Sequence, residues 1–247
     1  MSAGMTRVKN IIRVIEAGLQ PRIRSVSYRG QTGRFVQSIW WDNTRPDIVA
    51  RELDGYFQAI ARHGWVPQSI LDVGAEVGLF SIFASRIFNL RQLFVIEPSQ
   101  RNRILLARNL KLNKVSVAGM SRDALWKERV KLSFRTHGAI SAIHGVGDLM
   151  NLPFVERVQA ETLDATLRRW DVPAVDLIKM DIEGSEIEAL EGAGLTLGEG
   201  GIRPKVLIQA YHLRNGRRTL ETCADQLKKI GYICEEETPG LLVGWPR

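Results

Sequence analysis

The chain of 247 residues has only two cysteines, Cys223 and Cys234, with no C-x-x-C pair and no histidine nearby at metal-ligand spacing. That pattern argues against a disulfide framework or a zinc cluster and fits a reducing, cytoplasmic compartment. No apolar run approaches the roughly 20 residues needed to span a bilayer. The N-terminal stretch "MSAGMTRVKNIIRVIEAG" lacks the apolar core of a signal peptide. Two nucleotide signatures are missing as well. A G-x-G-x-x-G fingerprint would need glycines at 74, 76 and 79, where this chain has Gly74, Glu76 and Leu79, and there is no G-x-x-x-x-G-K-[ST] loop. A glutamate at the middle position repels a pyrophosphate and hinders the close backbone approach it needs. Internal repeats, low-complexity tracts and a clear linker are also lacking.

Acidic residues are scarce at one end. Residues 1–34 hold seven Arg or Lys against Glu16 alone, so this segment carries six of the seven net positive charges. A basic arm of this kind is a candidate surface for nucleic acid or an anionic membrane, although a solvated helix face is the plainer reading. The remainder is close to neutral, with ordinary globular composition.

What is present is an alternation. Val8, Ile11, Ile12, Ile15 and Leu19 recur at helical spacing, and Gly18 and Pro21 mark the end of that helix. "RSVSYRG" and "RFVQSIWW" read as two strands around a Gly-containing turn, followed by a helical pattern over 47–63. Strands are then expected at 69–73, 92–97, 115–120, 175–181 and 204–211, with helices at 78–88, 99–112, 163–170, 185–193 and 217–230. "RVKLSF" (129–134) and "VERVQAE" (155–161) read as antiparallel strands flanking a loop at 138–151, and "YICEEE" and "LLVGW" as two closing strands. Strands alternating with helices imply a doubly wound α/β sheet covered on both faces. The division expected is a basic N-terminal helix with short strands (1–46) and one α/β domain (47–247).

In such sheets, ligands sit beyond the carboxyl ends of the strands at the switch point. The first strand, "SILDV", ends at Asp72 and runs into Gly74-Ala75-Glu76-Val77-Gly78. S-adenosylmethionine suits this loop, because it carries no phosphate but has an ammonium, a sulfonium and one carboxylate. Asp72 and Glu76 are candidates for the cationic end and backbone N–H groups near Gly78 for the carboxylate. The next strand ends in "VIEP", placing Glu97 where a ribose ligand is expected, with Pro98 fixing its direction. Further on, "DLIKMDIEGSEIEALEGA" delivers Asp181 to the same edge. Ser185 with Glu188 has the spacing of a capping box.

"LDVGAEVGLFS", "VIEPSQRNRILLARNLKLN", "AETLDATL" and "DLIKMDIEGSEIEALEGA" occur in this order, and the chain therefore resembles the FkbM family of S-adenosylmethionine-dependent O-methyltransferases over residues 47–235. D-I-E-G-x-E is the most distinctive stretch, and "AYHLRNG" followed by "LKKIGY" is similar to the family's closing strand and helix. Two positions depart from its pattern: Glu76 stands where Asn is usual, and Gln209 where the fifth strand often has an acid. The resemblance implies a Rossmann-like sheet of seven strands, the last antiparallel. It implies S-adenosyl-L-methionine as cofactor, with the adenine near Asp123 and Ala124. The candidate cofactor set is Asp72, Gly74, Ala75, Glu76, Gly78, Ser81, Glu97, Pro98, Asp123, Ala124 and Asp181.

Transfer of a methyl group to a hydroxyl needs a base for the departing proton. Asp181, Glu183 and His212 are the candidates, with His144 in the 138–151 loop behind them. No third oxygen ligand accompanies Asp181 and Glu183, so no metal is expected. The acceptor expected is a small molecule or glycan: a sugar, a lipid-linked glycan or a natural product. An RNA methyltransferase using the basic arm is the rival enzyme, and a non-catalytic nucleoside-binding protein the rival outside catalysis.

Overall fold

The computed structural model describes residues 22–36, 46–137, 140–144, 155–172, 174–214 and 216–247. The expected N-terminal helix over residues 8–19 lies outside them. An antiparallel hairpin opens the described chain, β1 (Ile23–Tyr28) with β2 (Gln31–Val36). Its two-residue turn, Arg29-Gly30, has φ of 46° and 74°, the left-handed pair that a type I′ turn requires. Then come α1 (Pro46–Arg62), β3 (Ser69–Val73), α2 (Leu79–Phe88), β4 (Gln92–Ile96), α3 (Gln100–Leu112) and β5 (Gly119–Ser121). A side excursion follows: β6 (Ala124–Leu125), β7 (Val130–His137), β8 (Ile140–His144) and β9 (Val155–Glu161). The chain returns through α4 (Leu163–Arg169), β10 (Leu177–Met180), α5 (Glu186–Glu191), α6 (Gly194–Leu197) and β11 (Lys205–Gln209). It closes with a short pair, β12 (Leu213–Arg214) and β13 (Arg217–Arg218), then α7 (Thr219–Lys229), β14 (Tyr232–Thr238) and β15 (Leu241–Pro246).

Seven strands form the main sheet in the order β5-β4-β3-β10-β11-β15-β14. The first five are parallel, and β15 lies antiparallel between β11 and β14. The expected seven-stranded sheet with an antiparallel last strand is therefore what the chain builds. All five residues of β3 are buried, as a central strand covered on both faces requires. Ile70 joins the apolar cluster beneath α1, α2 and α3, whereas Leu71 and Val73 join the cluster beneath α4, α5 and α7. Val26, Tyr28 and Phe35 of the hairpin belong to the first cluster. Asn109 and Asn113 of α3 and its C-cap staple the hairpin down: Val36 N–H and Arg34 N–H donate to their side-chain oxygens, both at 2.8 Å.

The chain moves outward from β3 to β4 and β5, then crosses back to β10 on the other side of β3. The switch point lies between β3 and β10 at their carboxyl ends, where a ligand is expected.

Two expectations are corrected. The third strand is shorter than 115–120, because Val115 N–H is spent on the end of α3 (to Leu110 O, 2.9 Å) and only Gly119–Ser121 pairs with β4. The span 138–151 is not simply a loop: Ile140–His144 pairs with β7, and β7 pairs in turn with β9, as the antiparallel reading of its flanks anticipated.

Candidate active site

The loop after β3 is left-handed at alternate positions: Gly74 (φ 75°), Glu76 (φ 50°) and Gly78 (φ 91°). Each has a reason. A Cβ on Gly74 would collide with the backbone oxygen of Asp181, and one on Gly78 would come within 2.8 Å of Leu106. Gly74 N–H and Ala75 N–H both donate to Ile96 O, at 2.9 and 3.1 Å, so the loop is hung from the end of β4. Glu76 holds a conformation that costs a non-glycine residue about 1–2 kcal/mol and that Asn tolerates better. Its N–H is fixed by Glu97 Oε2 at 2.8 Å.

Glu97 closes the loop from beneath. Its other oxygen accepts from Ser99 N–H at 2.8 Å, and the residue is 4% exposed. Burial pushes this carboxyl up to about 7, against the two N–H bonds and the Lys179 and Arg103 charges that pull it down. Arg103, just downstream, donates to the Glu97 and Pro98 backbone oxygens rather than to the carboxylate. Ser99 then caps α3 through Asn102 N–H. Asp123 pairs with Arg169 at 3.1 Å, and Ala124 is buried at the start of β6.

Asp72 is fully enclosed. Ser81 Oγ donates to one of its oxygens at 2.6 Å, and Lys179 Nζ lies 3.1 Å from the other. Asp72 and Lys179 are register partners on β3 and β10, so they project side by side on one face. Lys179 Nζ also donates to Gly74 O at 2.9 Å and lies 5.6 Å from the Tyr56 ring and 6.0 Å from the Phe80 ring. Burial alone would push its ammonium pKa down, but the Asp72 and Asp181 carboxylates outweigh that and hold it up. Lys179 and Tyr56 are not among the residues the sequence singles out. A signal for the first was present: a lysine inside an apolar strand buried on both faces must have a partner.

Asp181 follows β10. Its N–H donates to Val73 O at 3.0 Å, and its carboxylate accepts from Tyr56 OH at 2.9 Å. The next turn is also left-handed, at Glu183 (φ 57°) and Gly184 (φ 100°). It presents Glu183 to the end of β11, where His212 Nε2 lies 3.0 Å and Tyr211 OH 3.1 Å from Glu183 Oε2. The Tyr211 and His212 rings stack at 4.2 Å. The bond to Glu183 holds the His212 pKa above its ordinary value, burial opposing it and the Glu186 charge adding to it. Glu186 is fully buried and accepts from Gly184 N–H at 2.9 Å, and burial pushes it up to about 7. The expected capping box does not form. Ser185 makes no side-chain cap bond, and Glu188 reaches outward to Arg214 at 2.7 Å.

The structure thus gathers Asp72, Gly74, Ala75, Glu76, Gly78, Ser81, Glu97 and Asp181 around one strand-edge loop, with Glu183 and His212 beside it. His144 is placed on β8, its backbone opposite Ser133. The donor set fits an adenosyl nucleoside: a buried carboxylate with unused lone pairs stands at the end of the second strand, and a glutamate occupies the middle of the Gly loop.

Comparisons with known proteins bear on the family and the fold. The Methyltransferase FkbM domain family matches residues 72–234. The chain is 27% identical over 157 residues to Methyltransferase sdnD of Sordaria araneosa, covering 50% of this chain and 59% of that one. Among solved structures, it superposes on Methyltransferase FkbM from Methylobacillus flagellatus KT with a TM-score of 0.51 at 20% identity, over 72% of this chain and 43% of the other. The chain thus spans less than two thirds of each relative, and the second likeness concerns the fold. With two thirds of its length matched by the family and the Gly loop, Glu97 and Asp181 in place, this chain belongs to the FkbM methyltransferase domain family, a class of S-adenosylmethionine-dependent enzymes.

Proposed function

We propose that this chain methylates a hydroxyl group on an uncharged or cationic organic acceptor, such as a sugar, glycan or natural product, using S-adenosyl-L-methionine. The observation that carries the reading is the shared edge: the Gly loop, Glu97 and the acid–histidine cluster stand at the carboxyl ends of β3, β4, β10 and β11. The cofactor supplies a methyl group on a cationic sulfonium. Glu97 accepts from the ribose hydroxyls, and the first-turn N–H groups of α2, just beyond Gly78, hold the carboxylate. Asp123 and Ala124 border the adenine, and Ala75, Ser81 and Pro98 complete the surrounding walls.

Asp181 takes the acceptor proton. It stands nearest the Gly loop, its own carbonyl against Gly74, and Tyr56 fixes one of its oxygens. Glu183 is already held by two donors, and the imidazole of His212 is inclined to stay protonated, so this pair serves to orient the acceptor. Asp181 and Glu183 stand together at this edge, which favours an acceptor other than a polyanion. A positioned base is worth about 10²–10⁴-fold. Asp181→Asn is therefore expected to lower kcat by at least about 100-fold while S-adenosylhomocysteine affinity changes little. The check is turnover of labelled cofactor against glycan, small-molecule and RNA fractions. Methylation confined to RNA, with acceptor binding that weakens steeply in salt, would overturn the acceptor class.

A further inference from the structure

Asp72 has the position of a cofactor ligand but not the exposure of one. Nothing of it reaches the surface, one oxygen is taken by Ser81, and the other faces Lys179. What lies between Asp72 and the loop is the Lys179 ammonium. It touches the loop at one point, the carbonyl of Gly74. That residue is clamped on three sides: its N–H on Ile96 O, its Cα against Asp181 O, and its C=O on Lys179.

We propose that Lys179 is a positioning residue that sets the shape of the cofactor loop, and that Asp72 acts on the cofactor only through it. This inference rests on the reading of the loop as the S-adenosylmethionine site. The geometry gives Lys179 two tasks. Its bond to Gly74 O orients the peptide that leads into Ala75 and Glu76, and hence the N–H groups displayed beyond it. Its ammonium lies against the Tyr56 and Phe80 rings, which meet edge to face, and the helix carrying Tyr56 seats its hydroxyl on Asp181. Loop and acid are thereby referred to one buried cation. Asp72 keeps that cation charged and in place, and Ser81 keeps Asp72 in place.

A lysine replaced alone leaves Asp72 as an unpaired buried charge, which is strongly destabilising. The decisive variant is therefore Asp72→Asn with Lys179→Met, which removes both charges and keeps an acceptor for Ser81. Two measurements apply, neither requiring turnover. Calorimetry with S-adenosylhomocysteine is expected to show affinity reduced tenfold or more against the unaltered chain. Hydrogen exchange without ligand is expected to show faster exchange at the Gly74, Ala75 and Gly78 amides, with β4 and β11 protected as before. A general packing role would instead raise exchange throughout the sheet, and that outcome overturns the proposal. Unchanged affinity with unchanged loop exchange overturns it too, leaving the loop reading intact. Failure of the unaltered chain to bind S-adenosylhomocysteine would overturn both.

Discussion

The Asp72–Lys179 pair and the Glu183–His212 pair stand at the same edge of the sheet, yet the second is far more open to solvent. The side chains of the first are 0% and 6% exposed, those of the second 19% and 26%. The first joins two adjacent strands in register and is closed by Ser81. The second joins two loops, both leaving the sheet, and shares Glu183 with the phenol of Tyr211. A sealed ion pair has little to gain in energy over an apolar one, since desolvation offsets attraction. What it supplies is a fixed point. A pair open to water is weaker, but its charges can respond to a bound molecule.

The contrast is most directly broken from the sealed side. Asp72→Ala strands the Lys179 ammonium in an apolar site, and stability is expected to fall by about 3–5 kcal/mol in denaturant titration. The charge-free double variant should recover most of that loss. If the single change costs less than about 1 kcal/mol, the pair is not the fixed point its burial implies.

Glu97 stands next in magnitude. Because both its oxygens accept backbone N–H groups, Glu97→Gln turns one acceptor into a donor facing a donor. Affinity for S-adenosylhomocysteine is expected to fall about tenfold or more, with a stability loss of about 1–3 kcal/mol. Loss of the bond at Oε2 would also loosen Glu76, and loss of the one at Oε1 would loosen Ser99. A Kd within about twofold of the unaltered chain, measured by calorimetry, would remove Glu97 from the ribose site.

The same residue gives a pH test with two opposite signs. Its folded pKa is raised to about 7, so the folded protein holds this proton more tightly than the unfolded chain does. The resulting stability is present in full below the ordinary carboxyl value and is lost as pH rises toward and through about 7. Nucleoside binding needs the ionised form and should strengthen over that same interval. Glu97→Gln should flatten both curves.

On the open side, effects are smaller. His212 should titrate above the ordinary imidazole value of about 6.5, and Glu183→Gln should bring it down, as read by nuclear magnetic resonance. The stability it contributes is complete below that ordinary value and disappears as pH climbs through the raised one. Smallest of all, Glu76→Asn relieves a left-handed glutamate and should raise stability by up to about 1 kcal/mol in thermal melts.

Much of this arrangement is legible in residues alone. "SILDV", "QLFVIE" and "VLIQ" announce strands buried on both faces, and their order fixes a switch point. The loop after Asp72 and the acid before Pro98 announce a ligand that is not a pyrophosphate. Spacing is silent about which oxygen meets which hydrogen. Ser185 and Glu188 have capping-box spacing, but Glu188 finds Arg214, which is distant in sequence, while Glu186 reaches back to Gly184. Tyr56 lies 125 residues from Asp181 and within a helix that reads as ordinary core. Only packing reveals such a pairing. The left-handed Glu76 is similar: a residue that disfavours the conformation gives no hint that neighbouring hydrogen bonds impose it.

The placement of β15 has a consequence for biosynthesis. Strand β14 is made first, yet it bonds only to β15, and β15 alone joins it to β11. A nascent chain that has emerged as far as Thr238 therefore presents two unsatisfied strand edges with nothing to close them. Such edges invite pairing with another chain. Six further residues, Leu241–Pro246, seal both at once. Deletions reaching into that segment should be felt as aggregation well before any change at the candidate site.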